Sequence, residues 1–214
     1  MDEDLAIIAK NTRKEEIKNF FIKYKKKIYF LMSLILLTIF STFFYLDNVK
    51  KQKTEIANKF IKASINYNLK KKAYYLKEFN EIINTHDSTY APLALFFLID
   101  NKVLNSNEEI NHLFDQVLNN ADLEKEIKNL VIYKKALINA DFQPENIMID
   151  ILKPVINSES FWKPHSLLLL GDYFLFKGEK QKAKEFYSQI LISQKTNENI
   201  FKQAQQRILK SHAK

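Results

Sequence analysis

The chain has 214 residues, a formal net charge of +8 and no cysteine, which excludes disulfides, thiolate nucleophiles and zinc–thiolate sites. Its two glycines, Gly171 and Gly178, are too few for a dinucleotide fingerprint and wrongly spaced for a P-loop, and its four histidines form no His-Glu-x-x-His pair. The basic excess is dispersed, whereas nucleic-acid binding favours a concentrated basic face. We therefore expect no cofactor, metal site, nucleic acid or small-molecule substrate, and no enzymatic activity.

The first element after a charged arm (residues 1–27) is predicted to be an apolar helix. Residues 28–46 carry no charge, and twelve of these nineteen residues are Leu, Ile or Phe. A helix of that length spans about 28 Å, close to the thickness of the hydrocarbon core of a bilayer. The run is longer than the apolar core of a signal peptide and ends without the small residues of a cleavage site. It predicts one uncleaved transmembrane helix.

Lysines flank this helix on both sides, but more densely before it than after it. The nearest four are Lys23, Lys25, Lys26 and Lys27. The positive-inside rule therefore predicts a cytoplasmic N-terminus, and it places residues 47–214 in the periplasm of a bacterial inner-membrane protein. Apolar residues of the arm are spaced for an amphipathic helix on the cytoplasmic leaflet: Leu5, Ile8, Ile17, Phe20 and Phe21.

From residue 47 onward, apolar residues recur at helical spacing and alternating strand patterns are few. Clusters of Asn, Asp, Ser and Pro mark the breaks, including Lys153-Pro154. The predicted helices cover 47–68, 69–84, 91–103, 107–119, 123–140, 144–152, 164–176, 180–193 and 197–212. Short helices with brief connections predict an all-α domain of stacked helix pairs, an α-solenoid.

Residues 164–191 resemble a tetratricopeptide repeat. Six residues carry the match: Leu170 and Gly171 in the first helix, Phe174 at an aromatic position, Gly178 at the turn, and Ala183 and Tyr187 in the second helix. Gly171 and Ala183 lack bulk where paired helices cross closely, and Gly178 suits a turn with positive φ.

Weaker copies of this pattern precede the best one. Their aromatic or aliphatic anchors, Phe79, Phe114, Ile151 and Tyr187, lie 35, 37 and 36 residues apart. In the copy at 91–118, Asn105 stands where the best copy has the turn glycine. Asparagine tolerates the left-handed conformation, so the turn is still expected to form. The spacing predicts a repeat array, with an irregular helical bundle as the alternative.

The order of parts resembles the YfgM-like family of membrane-anchored tetratricopeptide-repeat proteins. A basic arm with Tyr24 among its lysines precedes a single anchor and degenerate repeats, and the helix start at 90–94 and the Trp162-x-Pro164 segment also match. The resemblance implies an ancillary subunit of the bacterial Sec translocon that associates with SecYEG and with a PpiD-like membrane chaperone. It implies no catalysis. The alternative is a scaffold for another cell-envelope assembly, in cell-wall or outer-membrane biogenesis.

Repeat arrays of this kind bind partners through the concave face lined by their first helices. The residues expected on that face are His165, Leu168, Asp172 and Leu175 in the best repeat, and Leu95, Ile99 and Lys102 in an earlier one. The pattern leaves open whether these side chains meet a partner or only solvent and the next repeat.

Overall fold

The computed structural model describes residues 2–193 and 197–212, with side chains from residue 15 onward except those of residues 16, 17, 21, 211 and 212. The described chain is helical and contains no strand, which confirms the all-α prediction. The helices are α1 Asp2–Ile65, α2 Lys72–Ile83, α3 Tyr90–Asp100, α4 Asn107–Asn120, α5 Lys125–Asn139, α6 Glu145–Ile156, α7 Lys163–Phe176, α8 Lys180–Ile192 and α9 Glu198–His212, with a 3-10 turn at Leu69–Lys71.

Helix α1 joins the predicted anchor and the predicted helix after it without a break. The reason is local: the first proline of the chain is Pro92 and the first glycine is Gly171, so nothing in α1 interrupts the hydrogen-bond ladder. Within the apolar run, the hydroxyl of Thr42 donates to the Thr38 carbonyl at 2.7 Å, so this polar group is satisfied inside the helix. In the arm, Phe20 stacks at a tilt on Tyr24, and the side chains of Leu5, Ile8, Ile17 and Phe21 lie outside the described residues.

The chain divides into two compact units, Met1–Glu55 and Ile56–Lys214. Ile56, at the start of the second unit, packs against its first apolar cluster. The division into an arm at 1–27, a membrane helix at 28–46 and a domain at 47–214 remains a prediction. Two apolar clusters fill the second unit. Phe79 stacks on Phe97 at 4.4 Å in the first cluster, which runs from the end of α1 to α5. The second cluster runs from α5 to α9, and Leu118 packs against both.

The helices of the second unit follow one another in a regular series. Each helix from α2 to α9 packs against the next, and α5 also contacts α7, as α7 contacts α9. Helices α2, α4, α6 and α8 begin at residues 72, 107, 145 and 180, while α3, α5, α7 and α9 begin at 90, 125, 163 and 198. This recurrence every 35 to 38 residues is that of a solenoid built from helix pairs. Their assignment to the tetratricopeptide class remains a prediction.

One predicted break and one predicted turn residue are wrong. Helix α6 continues through Pro154 to Ile156, because proline so near a helix end removes one hydrogen bond while the buried Val155 still packs in the core. The turn after α3 uses Lys102 rather than Asn105 as its left-handed residue, with φ 51°.

Lys102 closes α3 in the way that Gly178, with φ 82°, closes α7. The amide of Val103 donates to the carbonyl of Leu98 at 2.8 Å, and the amide of Glu179 donates to that of Phe174 at 2.9 Å. Both are the long-range bond of a Schellman cap. Helix α3 ends at Asp100, earlier than predicted, and a longer turn preserves the length of the repeat.

Candidate functional site

The crossing of α7 and α8 is built around the two smallest residues of the predicted repeat. Gly171 lies against the Tyr187 ring so closely that a Cβ at residue 171 would come within 2.3 Å of Cε1. Ala183 is fully buried in the same cluster, and Leu170 and Phe174 pack there with it. Gly178 lies in the exposed turn between the two helices. This crossing holds α7 in a fixed position relative to α8.

Tyr187 of α8 links the crossing to Asp172 of α7. Its hydroxyl donates to Asp172 Oδ1 at 2.7 Å, and Arg207 Nε of α9 donates to the same oxygen at 2.8 Å. Burial raises the pKa of Tyr187, and the bond to Asp172 and the charge of that carboxylate raise it further. The tyrosine therefore stays neutral as a donor, and Asp172 ties α7, α8 and α9 together.

Side chains from the odd-numbered helices form a row across the second unit. Lys134 Nζ of α5 lies 5.3 Å from the centre of the Phe96 ring of α3, and Arg207 of α9 pairs with Asp172 of α7. Phe96, Lys134, Asp172 and Arg207 are 38, 38 and 35 residues apart along the chain. Lys134, Asp172 and Arg207 are each the tenth residue of their helix, whereas Phe96 is the seventh residue of α3, about one turn nearer its start. We call the side of α3, α5, α7 and α9 that carries this row the free face. Of these four, only Asp172 was predicted, although the spacing from Asp172 could have indicated Lys134 and Arg207.

An aromatic ridge lies beside this row. We define it as Tyr133 of α5 together with Phe161, Trp162 and His165 at the start of α7. The Tyr133 and Trp162 rings stack at 5.4 Å, and His165 lies 5.1 Å from Trp162 and 5.3 Å from Phe161. Burial raises the pKa of Tyr133, and the negative charge of Asp172 adds to the effect. The charge of Asp172, in the row, therefore acts on Tyr133, in the ridge.

The residues predicted for the concave face divide into four groups. His165 and Asp172 are half-buried on the free face, in the ridge and in the row. Ile99 and Leu175 are partly buried and pack against the two apolar clusters. The prediction is wrong for Leu95 and Leu168, which are 0% and 9% exposed, because neighbouring helices cover positions that helical periodicity alone leaves free. Lys102 is exposed but lies in the turn beyond α3 rather than on the helix.

The turn that presents the ridge is held from α5. Glu126 Oε2 accepts hydrogen bonds from Ser160 Oγ at 2.9 Å and from the Phe161 amide at 3.1 Å. Lys125 Nζ donates to the carbonyl of Glu159 at 2.6 Å. Phe161 nevertheless remains 60% exposed. A large apolar side chain is therefore held outward on a fixed backbone, which lowers the entropy that a partner must overcome to bind it.

Among the described residues, one helical segment, Ile22–Ile65, is long and apolar enough to cross a membrane. Its most apolar window has a mean hydropathy of 2.0 and none of it is buried. The four lysines before the apolar run are exposed, and the Nζ atoms of Lys23 and Lys27 lie 5.6 and 5.9 Å from the centre of the Tyr24 ring. These features are compatible with a single-pass anchor.

Among the side chains that the structure describes, no three from His, Asp or Glu are placed together as they would be to hold a metal ion. No protein-family model matches the chain, and no curated protein or solved structure matches it either.

Proposed function

We propose that the chain is a membrane-anchored protein-interaction module. Its second unit, Ile56–Lys214, is the helical unit that binds protein partners, and it does so through the free face of α3, α5, α7 and α9. The observation that carries the proposal is the row of side chains on this face, with the aromatic ridge beside it. Several apolar side chains on this face remain exposed, including Leu93, Ile127, Leu137 and Phe161. Rigid, exposed aromatic residues are typical of the energetic centres of protein interfaces.

The anchor adds to this function by concentrating the helical unit at the membrane. Tethering raises its effective concentration near membrane-embedded partners, so that a weak interface suffices. One apolar helix encloses no channel, and its uncharged run offers no proton or ion route. Binding rather than transport or catalysis is therefore the role that we assign, with the N-terminus in the cytoplasm and the helical unit in the periplasm of a bacterial cell.

For the partner we propose the Sec translocon, SecYEG, together with a PpiD-like membrane chaperone. The support is the resemblance of the basic arm, anchor and degenerate repeats to the YfgM-like family. A scaffold in cell-wall or outer-membrane assembly is the second candidate, since it needs the same anchor and the same binding face.

Site-specific photocrosslinking in native membranes tests the proposal. A photoreactive amino acid at Leu137 would lie on the same side of α5 as Tyr133 and Lys134, because residues three and four apart share a helix face. The matched control is Glu185, an exposed residue of α8. We expect protein adducts from residue 137 and few from residue 185.

The identity of the adducts separates the two candidate partners. SecYEG or chaperone subunits support the first, and proteins of cell-wall or outer-membrane assembly support the second. If residue 137 gives no adduct above the level of residue 185, the free face is not the binding surface and the proposed function is wrong.

A further inference from the structure

The carboxylates that hold the aromatic ridge are already engaged as hydrogen-bond acceptors. Glu126 accepts hydrogen bonds from Ser160 and Phe161, and Asp172 accepts them from Tyr187 and Arg207. Arg207 offsets the charge of Asp172, and the Glu126 oxygen that accepts both of its bonds is directed at the turn before α7.

Two sources of positive charge lie beside the ridge: Lys134 of α5 and the start of α7. Lys134 lies over the Phe96 ring and makes no ion pair with a carboxylate among the described residues. Helix α7 begins after Trp162 without a side-chain cap, and its first turn contains no acidic residue but does contain Lys163. A helix start carries about half a positive charge, which favours anionic groups near it.

From this charge distribution we infer that the ridge binds a segment of a partner protein in which carboxylates alternate with apolar side chains. The inference rests on the proposed protein-binding function and names the chemistry of the partner. An apolar side chain of the segment packs against Phe161 and Tyr133, while a carboxylate lies near Lys134 and another near the start of α7.

An anionic lipid surface also combines negative charge with apolar groups, but the ridge suits such a surface less well. Lipid recognition by charge typically uses clusters of four to eight basic residues. Here Lys134 and Lys163 act beside the paired Asp172 and the engaged Glu126. A peptide that places single carboxylates at defined points matches this arrangement better than a uniformly charged surface does.

Binding of model peptides to the full chain in uncharged detergent micelles tests the inference. Three fluorescent peptides of equal length carry leucine and phenylalanine at the same positions, with glutamate, serine or lysine at the positions between them. Each contact of a carboxylate with an exposed cation or a helix start contributes modestly, so two such contacts predict about fivefold tighter binding of the glutamate peptide than of the serine peptide. The lysine peptide should bind most weakly.

Variants assign this preference to the ridge. Lys134→Glu should abolish the preference for glutamate, and Lys134→Gln should reduce it without placing a negative charge over the Phe96 ring. Lys128→Glu makes the same charge change on the same helix, at an exposed position away from Lys134, and should preserve the preference. Phe161→Ala should weaken all three peptides alike, because it removes apolar contact and leaves the charges in place. Unchanged melting temperatures establish that each variant remains folded.

The outcomes separate this inference from the proposed function. Equal affinity for the glutamate and lysine peptides, or a preference that survives both Lys134 variants, overturns the acidic specificity. If residue 137 still forms protein adducts in membranes, the protein-binding function stands in that case. Displacement of the glutamate peptide by vesicles containing anionic lipid, but not by neutral vesicles, also overturns the inference in favour of a lipid surface. If no peptide binds and residue 137 gives no adduct, both proposals fail.

Discussion

Replacing Gly171 with alanine tests whether α7 and α8 cross as closely as the structure shows. The added Cβ would lie 2.3 Å from Cε1 and 2.6 Å from Cδ1 of Tyr187, far inside the optimal carbon–carbon separation of about 3.5–4.0 Å. The ring cannot simply move away, because it is fully buried and its hydroxyl is bonded to Asp172. Moving the ring would also disturb the ion pair of Asp172 with Arg207.

Two effects of opposite sign determine the result for Gly171→Ala. In a helix interior, alanine is favoured over glycine by about 1 kcal/mol. Overpacking a core costs about 1–3 kcal/mol, and loss of a hydrogen bond to a charged group costs a further ~1.5–3 kcal/mol. We expect the free energy of unfolding to fall by about 2–4 kcal/mol, and by more for Gly171→Leu. For a unit of this size, the melting temperature should fall by roughly 4–16 °C.

Thermal unfolding followed by helical circular dichroism and by the fluorescence of Trp162 measures this change. Gln181→Ala, at an exposed position of α8, is the control and should leave the melting temperature nearly unchanged. Tyr187→Leu removes the ring that the new methyl group would strike, so the double variant should lose less stability than the sum of its single changes. If Gly171→Ala is as stable as the wild type or more stable, helix propensity outweighs packing and the close crossing is refuted.

Three further predictions concern the turns, the buried tyrosine and the anchor. Lys102→Gly should stabilise the helical unit by about 0.5 kcal/mol and Gly178→Ala should destabilise it by about 1–2 kcal/mol, because only glycine adopts positive φ without strain. If urea unfolding shows that both variants change the free energy of unfolding in the same direction, the Schellman assignment is wrong. The raised pKa of Tyr187 contributes stability that is fully present below about pH 10, the unfolded value. That contribution is lost as pH rises further toward the folded value, so Tyr187→Phe should show a smaller alkaline loss of stability than the wild type, and an identical loss would refute this linkage. A C-terminal reporter should be active only outside the cytoplasm, and changing Lys23, Lys25, Lys26 and Lys27 to Gln should weaken that preference; a cytoplasmic C-terminus in the wild type would reverse the topology.

The sequence by itself determined the features that depend on residues within about one helical turn of each other. Charge-free apolar residues predicted a helical segment long and apolar enough to span a membrane, and helical periodicity with Pro, Asn and Ser breaks predicted the helices after it. The two glycines indicated the helix crossing at Gly171 and the turn at Gly178, because a residue without a side chain suits a close approach of two helices or a positive φ better than any other residue does. A lysine in a left-handed turn leaves no such signal, so Lys102 was missed.

Only the tertiary structure decided which of the exposed-looking positions form the candidate site. Leu95 and Leu168 repeat at the spacing of a free helix face, but neighbouring helices bury them. The Asp172–Arg207 pair and the contact of Lys134 with Phe96 join residues at least 35 positions apart, and the stacking of Tyr133 on Trp162 joins residues 29 apart. Such contacts depend on how the helices pack and where each begins. Local propensity carries no information about this packing, because the packing free energy is shared by side chains from several helices.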